Sequence, residues 1–266
     1  MGNAEQLSKT PETVLCESID GGVILTIHAP STRNACTVEM RQELLAHLRA
    51  AQASQACRFI VLTGSEANFC SGGRLQPDAG TDADRTRRSV GILQDVVREL
   101  HLGPKPTVAA VEGVAFGAGL SLASACDFIV AAESARFCAS FGRVGLMPDG
   151  GLAWTLPQRV GHPVARDMML TAREVRGPEA LQIGLADMVV PDGQALASAI
   201  EAARRYLGLA PLSIAATKRV LGGHQGSLDD VLLAELDEQP RLSGSDDYAE
   251  GRAAFRDKRP ARFSGR

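Results

Sequence analysis

The sequence lacks an apolar run long enough to span a bilayer, and it lacks a charge excess of either sign. Its longest apolar stretches, at 107–111 and 128–132, have five residues each, whereas a membrane-spanning helix needs about 20. The 28 basic and 31 acidic residues leave a formal net charge of -3. We therefore expect neither a membrane nor nucleic acid as a partner, which leaves small molecules and other protein chains.

Metal-ligand spacings and nucleotide-binding loops are also missing. The six cysteines are far apart, form no C-x-x-C pair and have no neighbouring histidines, so no zinc or other metal site is expected. No glycine-rich turn has a Walker-type lysine or the third glycine of a dinucleotide fingerprint. Unpaired cysteines, and a first decapeptide MGNAEQLSKT without an apolar segment, predict a cytoplasmic protein.

Strands and helices alternate over most of the chain. Two β-rich runs within 13–28, separated by Asp20-Gly21-Gly22, predict a hairpin. The later patterns predict a helix at 37–53 with Thr37 as its N-cap, strands at 58–64, at 106–113 and from 127, and a helix from about 117. This order predicts an α/β fold with much parallel pairing.

From residue 192 onward every pattern is helical, at 192–208, 211–222, 227–242 and 245–257. We therefore expect an α/β core at 1–191 followed by a helical C-terminal region at 192–266. Because short helices with an apolar face are stabilised mainly by packing, this region is expected to pack on the core or on a neighbouring subunit.

Two segments share one design, in which a strand leads to a glycine-rich turn and then to a helix. We call Ser71-Gly72-Gly73 the first turn and Gly117-Ala118-Gly119 the second turn. Glycine lets the main chain approach a ligand closely. A helix start presents unpaired N–H groups and the positive end of the helix dipole, so it favours a developing negative charge.

The surroundings of both turns resemble the crotonase (enoyl-CoA hydratase/isomerase) family. FCSGGRL at 69–75 is similar to the family's F-C-x-G-x-D-L loop, and the segment at 105–119 is similar to its K-P-x-x-A-A-V-x-G-x-A-x-G-x-G pattern. The tripeptide Arg33-Asn34-Ala35 resembles the family's early R-x-N-A turn. The segment EGRAAFRDKRPARFSGR at 250–266 resembles the family's C-terminal segment. One departure is Arg74, which stands where the family has an aspartate.

The resemblance implies a crotonase-like ββα-superhelix core with a helical C-terminal region, assembled as a trimer or a dimer of trimers. It implies an acyl-CoA substrate, in which coenzyme A is part of the thioester, and no separate cofactor. Carried over by position, the backbone N–H groups of Ser71 and Ala118 would stabilise the enolate oxygen of the thioester. The residues implied at coenzyme A are Arg33, Ala35, Cys70, Gly72, Phe255 and Lys258, with Phe255 and Lys258 often coming from a neighbouring subunit.

Which reaction follows depends on the acid and the base. The two glutamates of enoyl-CoA hydratases match Ser121 and Phe141, and neither residue can act as a general base. Asp149 is the remaining candidate, in a segment similar to G-L-x-P-D-x-G-G-x-W of enoyl-CoA isomerases, including those acting on ring-epoxidised phenylacetyl-CoA. Without the resemblance, the tripeptide Pro148-Asp149-Gly150 has an alternative interpretation as a turn that caps the next helix.

A single base favours isomerisation over hydration. Moving a double bond from position 3 to position 2 requires a proton to leave C2 and return at C4, and one carboxylate can perform both steps. Hydration or another enolate chemistry remains an alternative, as does a catalytically silent acyl-CoA binder. The sequence distinguishes neither the acyl group nor an aliphatic from an aromatic substrate.

Overall fold

The chain begins with the hairpin that the sequence predicts. In the computed structural model, which describes residues 11–75, 82–223 and 226–266, β1 (Thr13–Ile19) pairs antiparallel with β2 (Gly22–His28). Gly21 turns the chain between them with a φ of 76°, a conformation that glycine adopts at little steric cost. The first decapeptide, used above for the expected compartment, lies outside the described residues.

A six-stranded sheet continues from the hairpin. Its further strands are β3 (Phe59–Gly64), β4 (Thr107–Val111), β6 (Phe128–Ala132) and β9 (Met188–Val190). The order across the sheet is β1-β2-β3-β4-β6-β9, and every pair after the hairpin is parallel. The predicted α/β class with parallel pairing is therefore confirmed.

Helices cover this sheet and form the C-terminal part of the chain. Within the described residues they are α1 (Val38–Ala53), α2 (Ala83–His101), α3 (Ala118–Ala125), α4 (Leu152–Thr171), α5 (Gly177–Gln182), α6 (Ala195–Arg204), α7 (Pro211–Gly223), α8 (Leu228–Ser243) and α9 (Asp246–Asp257). Thr37 is the N-cap of α1, as predicted, and its side chain accepts the N–H of Met40. None of the described helices combines the length and the apolarity that crossing a membrane requires.

Both faces of the large sheet are buried, because successive side chains of a strand point to opposite sides. Ile60 and Leu62 lie in the main core with the buried residues of α1 to α4. Phe59 and Val61 point the other way and pack in a smaller core against alanines of α6. Although α6 follows residue 191, it covers the sheet; the division at 191 stays a prediction.

A second, smaller sheet is not among the elements that the sequence patterns predict. It consists of β5 (Val114–Phe116), β7 (Arg136–Cys138) and β8 (Glu174–Arg176). The prediction of one strand at 106–113 leading straight into a helix is wrong, because the chain turns at Gly113 (φ 55°) and forms β5 first. Strands of three residues are too short to show a clear alternation of apolar and polar positions.

A buried ion pair fastens α7 to the edge of the core. Lys218 is 7% exposed, pairs with Asp127 and donates to the carbonyl of Leu100 at 3.1 Å. The same Asp127 oxygen accepts the N–H of Thr107 at 2.7 Å and its hydroxyl at 3.0 Å. The C-terminal helices are thus connected to the first residue of β4 through charge-assisted hydrogen bonds.

Removing the Lys218 ammonium is expected to destabilise the protein. Lys218→Ala leaves the partly buried Asp127 carboxylate without its cation, so the free energy of unfolding should fall by about 3 kcal/mol. Arg219→Ala is the matched control, since its pair with Glu238 lies at the surface and should contribute less than about 1 kcal/mol. Urea unfolding followed by circular dichroism measures both, and equal losses would contradict this interpretation.

Candidate active site

The first turn is held by main-chain pairing on both sides. Cys70, just before it, donates its N–H to Val114 and accepts the N–H of Phe116, both at 2.9 Å, which pairs it with β5. Gly73 forms a bridge to Cys36, the residue just before Thr37 and α1. The first turn therefore lies between the start of α1 and the small sheet.

The side chain of Asn34 fixes the loop that leads into the first turn. It is fully buried, accepts the N–H of Ala29 at 2.9 Å, and donates to the carbonyls of Ser65 and Asn68 at 2.8 and 2.6 Å. Asn34 has a φ of 60°, in the left-handed region that asparagine tolerates better than most residues. The segment Arg33-Asn34-Ala35 thus holds the loop that leads into the first turn.

The second turn brings a helix N-terminus into the interior. Gly117 has φ 51° and ψ -120°, which side-chain-bearing residues rarely adopt, and its N–H donates to Cys138 at 2.9 Å. α3 then begins at Ala118, and all eight of its residues are buried. The N–H of Ala118 has no acceptor inside the helix, because the first helical turn has no preceding carbonyls.

The two turns touch through their glycines. A Cβ on Gly72 would lie 3.1 Å from the carbonyl oxygen of Phe116 and 3.8 Å from the nitrogen of Ala118. A Cβ on Gly119 would lie 2.2 Å from the carbonyl oxygen of Cys70, closer than atoms can approach. Gly119 therefore permits the contact that brings the first turn against the start of α3.

Gly73, and not Ser71, offers the free N–H of the first turn. The N–H of Ser71 donates to the carbonyl of Arg33 at 3.0 Å, and its hydroxyl donates to Thr32 at 2.8 Å. The N–H of Arg74 donates to Cys36, and that of Gly72 contacts the Cys70 sulfur. The Gly73 N–H has no acceptor within the described part of the chain. The expected donor Ser71 is thus corrected to Gly73, two residues later, because the Ser71 N–H is already bonded to Arg33.

Asp149 lies close to the helix that the second turn begins. The hydroxyl of Ser121, one helical turn after Ala118, donates to the main-chain carbonyl of Asp149 at 2.9 Å. The following Gly150 packs so closely that a Cβ there would lie 3.0 Å from Ser121 and from Leu93. Ser121 therefore positions Asp149 instead of replacing a catalytic glutamate.

The Asp149 side chain does not cap α4. Gly151 is the N-cap of α4, and no side chain caps it. Asp149 Oδ1 is buried and has no hydrogen-bond partner among the described residues. Burial raises the pKa of this carboxyl, and the charge of Arg41 acts in the opposite direction. An unpartnered, desolvated carboxylate is a stronger base than a solvated one.

The other hydratase position contributes an apolar surface. Phe141 is buried, and its ring tip lies 4.0 Å from where a Cβ of Gly117 would be. The site therefore combines one carboxylate, an aromatic ring and two main-chain N–H groups that have no acceptor among the described residues. This set can stabilise an anion on a bound oxygen and move a proton beside it.

Sequence comparison matches almost the full length of the chain to one protein family. Residues 18–266 match the family described as enoyl-CoA hydratase/isomerase. The chain belongs to this family. A 1,2-epoxyphenylacetyl-CoA isomerase of Escherichia coli (strain K12) is 32% identical over 267 residues, covering 96% of this chain and 99% of that protein. A Rhodobacter capsulatus protein named "Probable enoyl-CoA hydratase" is 38% identical over 261 residues, covering 96% and 98%.

Solved structures give the same result for the fold. The crystal structure of an enoyl-CoA hydratase from Polaromonas sp. JS666 matches with a TM-score of 0.89 at 33% identity, covering 94% of this chain and 99% of that one. The expected crotonase fold is therefore confirmed. The chain is an enzyme of the enoyl-CoA hydratase/isomerase family, and an acyl-CoA substrate fits that family.

Four of the residues expected at coenzyme A lie together in this family member. Arg33 is exposed and Ala35 is buried, and both lie on the segment that pairs with the first turn, beside Cys70 and Gly72. The Cys70 thiol is buried, which raises its pKa to about 11, so it remains neutral. A contact between these residues and coenzyme A stays a prediction.

Phe255 and Lys258 lie elsewhere, in the C-terminal helices. Phe255 is 87% exposed and borders a cavity of about 430 Å³ that α7, α8 and α9 line together with Phe263. Lys258 follows α9 and is exposed. A role for either residue at coenzyme A, from the same chain or from a neighbouring subunit, stays a prediction.

A crystal structure with a bound acyl-CoA thioester should reveal which N–H groups bind its carbonyl oxygen. We expect that oxygen within about 3.2 Å of both the Gly73 and the Ala118 nitrogen, as in ordinary hydrogen bonds. Ser71 should keep its bond to Arg33. If the thioester carbonyl oxygen is bound by the N–H of Ser71 and not by that of Gly73, Ser71 is the donor, as the family resemblance implies.

The acid side of the activity profile should report the Asp149 carboxylate. Because the base must be ionised, kcat/KM should be lost as the pH falls through a pKa above the ordinary value of 3.8. Arg41→Met removes a charge that favours ionisation, so the acid limb should move to higher pH. Arg74→Met is the control, because Arg74 pairs with Glu12. A limb that stays in place or moves to lower pH in Arg41→Met would be inconsistent with this assignment.

Proposed function

We propose that this family member is an enoyl-CoA isomerase, with the N–H groups of Gly73 and Ala118 as oxyanion donors and Asp149 as the base. The observation that supports it most is the buried Asp149 Oδ1, which has no partner while its main chain is held by Ser121. A carboxylate kept unpaired at a stability cost is typical of a functional group.

The proposed reaction moves one proton. Asp149 removes a proton from C2 of a 3-enoyl-CoA, and the electron pair of that bond delocalises onto the thioester oxygen. The two N–H groups stabilise the resulting negative charge, and losing one such donor typically costs about 2.7–4 kcal/mol of barrier. The carboxylic acid then returns the proton to C4, the C3–C4 double bond moves to C2–C3, and the enzyme is restored.

Hydration is less well supported, although several relatives are named hydratases. Hydration would need one group to deprotonate the attacking water and a second group to protonate the substrate carbon, and Asp149 can fill only one of these roles. Ser121 donates its hydroxyl to the Asp149 main chain, and Phe141 has no ionisable group. Glu112 is also occupied, since its carboxylate accepts the N–H of Ala195 at the start of α6.

Asp149→Asn should separate catalysis from folding. The amide is nearly isosteric and cannot take a proton, so isomerisation of a 3-enoyl-CoA should fall at least about 10²-fold. The variant should also unfold at a slightly higher temperature at neutral pH, because it removes a desolvated charge. Absorbance of the conjugated 2-enoyl thioester follows the reaction.

Glu112→Gln is the matched control for this experiment, since its carboxylate binds a helix start outside the site. It should leave the isomerisation rate within about twofold of the parent. Parent-level activity in Asp149→Asn would reduce Asp149 to a turn residue. Thioester binding without turnover by the parent enzyme would support the silent-binder alternative.

We also propose that the enzyme is a trimer or a dimer of trimers. None of the residues of α8 is buried within one chain, and Leu233, Leu236 and Phe255 are 60%, 70% and 87% exposed. Exposed apolar patches of this kind mark protein interfaces. A helix without buried residues also gains little stability within its own chain.

Sedimentation at micromolar concentration tests the assembly. The mass should be three or six times the 28.0 kDa of one chain. Changing both Leu233 and Leu236 to glutamate should shift the mass towards one chain, because charges are costly inside an interface. A wild-type mass of one chain would disprove the proposal.

A further inference from the structure

Arg41 is a buried cation directly beneath the first turn. It lies on α1 and is 8% exposed. Nη1 donates to the hydroxyl of Ser89 on α2 at 2.9 Å and to its carbonyl at 3.3 Å. Nη2 lies 2.6 Å from the position that a Cβ of Gly73 would take, so the absence of a side chain at Gly73 leaves room for the guanidinium.

The positive charge of Arg41 has no anionic partner within the described part of the chain. No carboxylate there lies within ion-pair distance of it, and its Nε is buried without a hydrogen bond. The neighbouring Cys36 thiol does not neutralise it, because burial raises the pKa of Cys36 to about 12. An unpaired guanidinium inside a protein is costly unless something binds it.

Arg41 and Asp149 are opposite charges that act on each other without touching. The charge of Arg41 favours the ionised form of Asp149, yet the two groups form no ion pair. Each has a buried atom without a partner, Nε in one and Oδ1 in the other. Buried polar atoms without a protein partner are rare in folded proteins, and a polar ligand group is one explanation that accounts for both.

The free edge of the guanidinium suits a carboxylate. Nη1 is occupied by Ser89, Nε makes no hydrogen bond to the described residues, and the further hydrogen bond of the guanidinium goes to the neutral thiol of Cys36, a weak acceptor. Nε and Nη2 lie side by side and present two parallel N–H groups, which is the arrangement that binds both oxygens of a carboxylate.

We propose that Arg41 is a specificity-determining residue that binds a carboxylate on the acyl group, so that the substrates are thioesters of dicarboxylic acids. This rests on the proposed function, because it assumes that the acyl chain lies between the first turn and Asp149. It extends that function by assigning a substrate class.

Binding of unreactive thioesters tests the proposal independently of turnover. Succinyl-, glutaryl- and adipyl-CoA are compared by calorimetry with butyryl-, valeryl- and hexanoyl-CoA, which have the same chain lengths and a terminal methyl group. The parent protein should bind at least one dicarboxylic thioester about tenfold more tightly than its hydrocarbon match. Equal or weaker binding of all three would overturn the proposal.

Variants identify the cation responsible. Arg41→Met should abolish the preference, Arg41→Lys should retain part of it, and Ser89→Ala should weaken it by releasing Nη1. Arg74→Met, which removes a cation already paired with Glu12, should leave the preference unchanged. A preference that survives Arg41→Met would disprove the assignment. If Arg41→Met does not fold, a preference as strong in both Arg41→Lys and Ser89→Ala as in the parent would disprove the assignment.

Two further results separate this proposal from its alternatives. Asp78 lies outside the described residues, and Asp78→Asn should not alter the preference; a tenfold rise would mean that Asp78 is the partner of Arg41 and would overturn the proposal. If the protein prefers dicarboxylic thioesters but isomerises none of the thioesters tested, only the proposed isomerase function is contradicted. Isomerisation of hydrocarbon and dicarboxylic thioesters with equal kcat/KM would contradict the role of Arg41 only.

Discussion

The site depends on the close contact of two main-chain segments. Cys70 packs its carbonyl against Gly119, at a distance that leaves no space for a Cβ, and Gly72 lies against the start of α3. This contact brings an N–H of an extended segment next to an N–H of a helix start, and neither is paired with a described residue. Backbone donors held in this way need no reorganisation when charge develops, which makes them effective in catalysis.

Opposite charges are kept unpaired around that contact. Asp149 and Arg41 each have a buried polar atom without a partner, whereas other buried charges are satisfied, as Lys218 is by Asp127 and Leu100. We interpret this difference as one between groups that hold the fold together and groups that would bind a ligand. Stability is reduced where the chemistry requires reactive groups, a common relation between stability and activity.

The sequence predicts the elements with long patterns and the residues with local roles. The hairpin, the Thr37 cap and the glycine turns follow from local chemistry, whereas the choice of Asp149 rests on the family resemblance. The donor of the first turn does not, because Ser71 is excluded by a bond to Arg33, a contact between distant segments. Arg41 was also missed, since its position within the periodic pattern of α1 gives no sign that its neighbours include Gly73 and Ser89.

Proton exchange at C2 of phenylacetyl-CoA in D₂O tests the central claim most directly, since this thioester has an acidic C2 and no double bond to move. If the two turns stabilise an enolate that Asp149 forms, proton NMR should show loss of the C2 signal far faster with enzyme than without it. Asp149→Asn should abolish the acceleration. A bound thioester whose C2 protons exchange no faster than in free solution would contradict the account, because the turns would then bind coenzyme A thioesters without enolate chemistry.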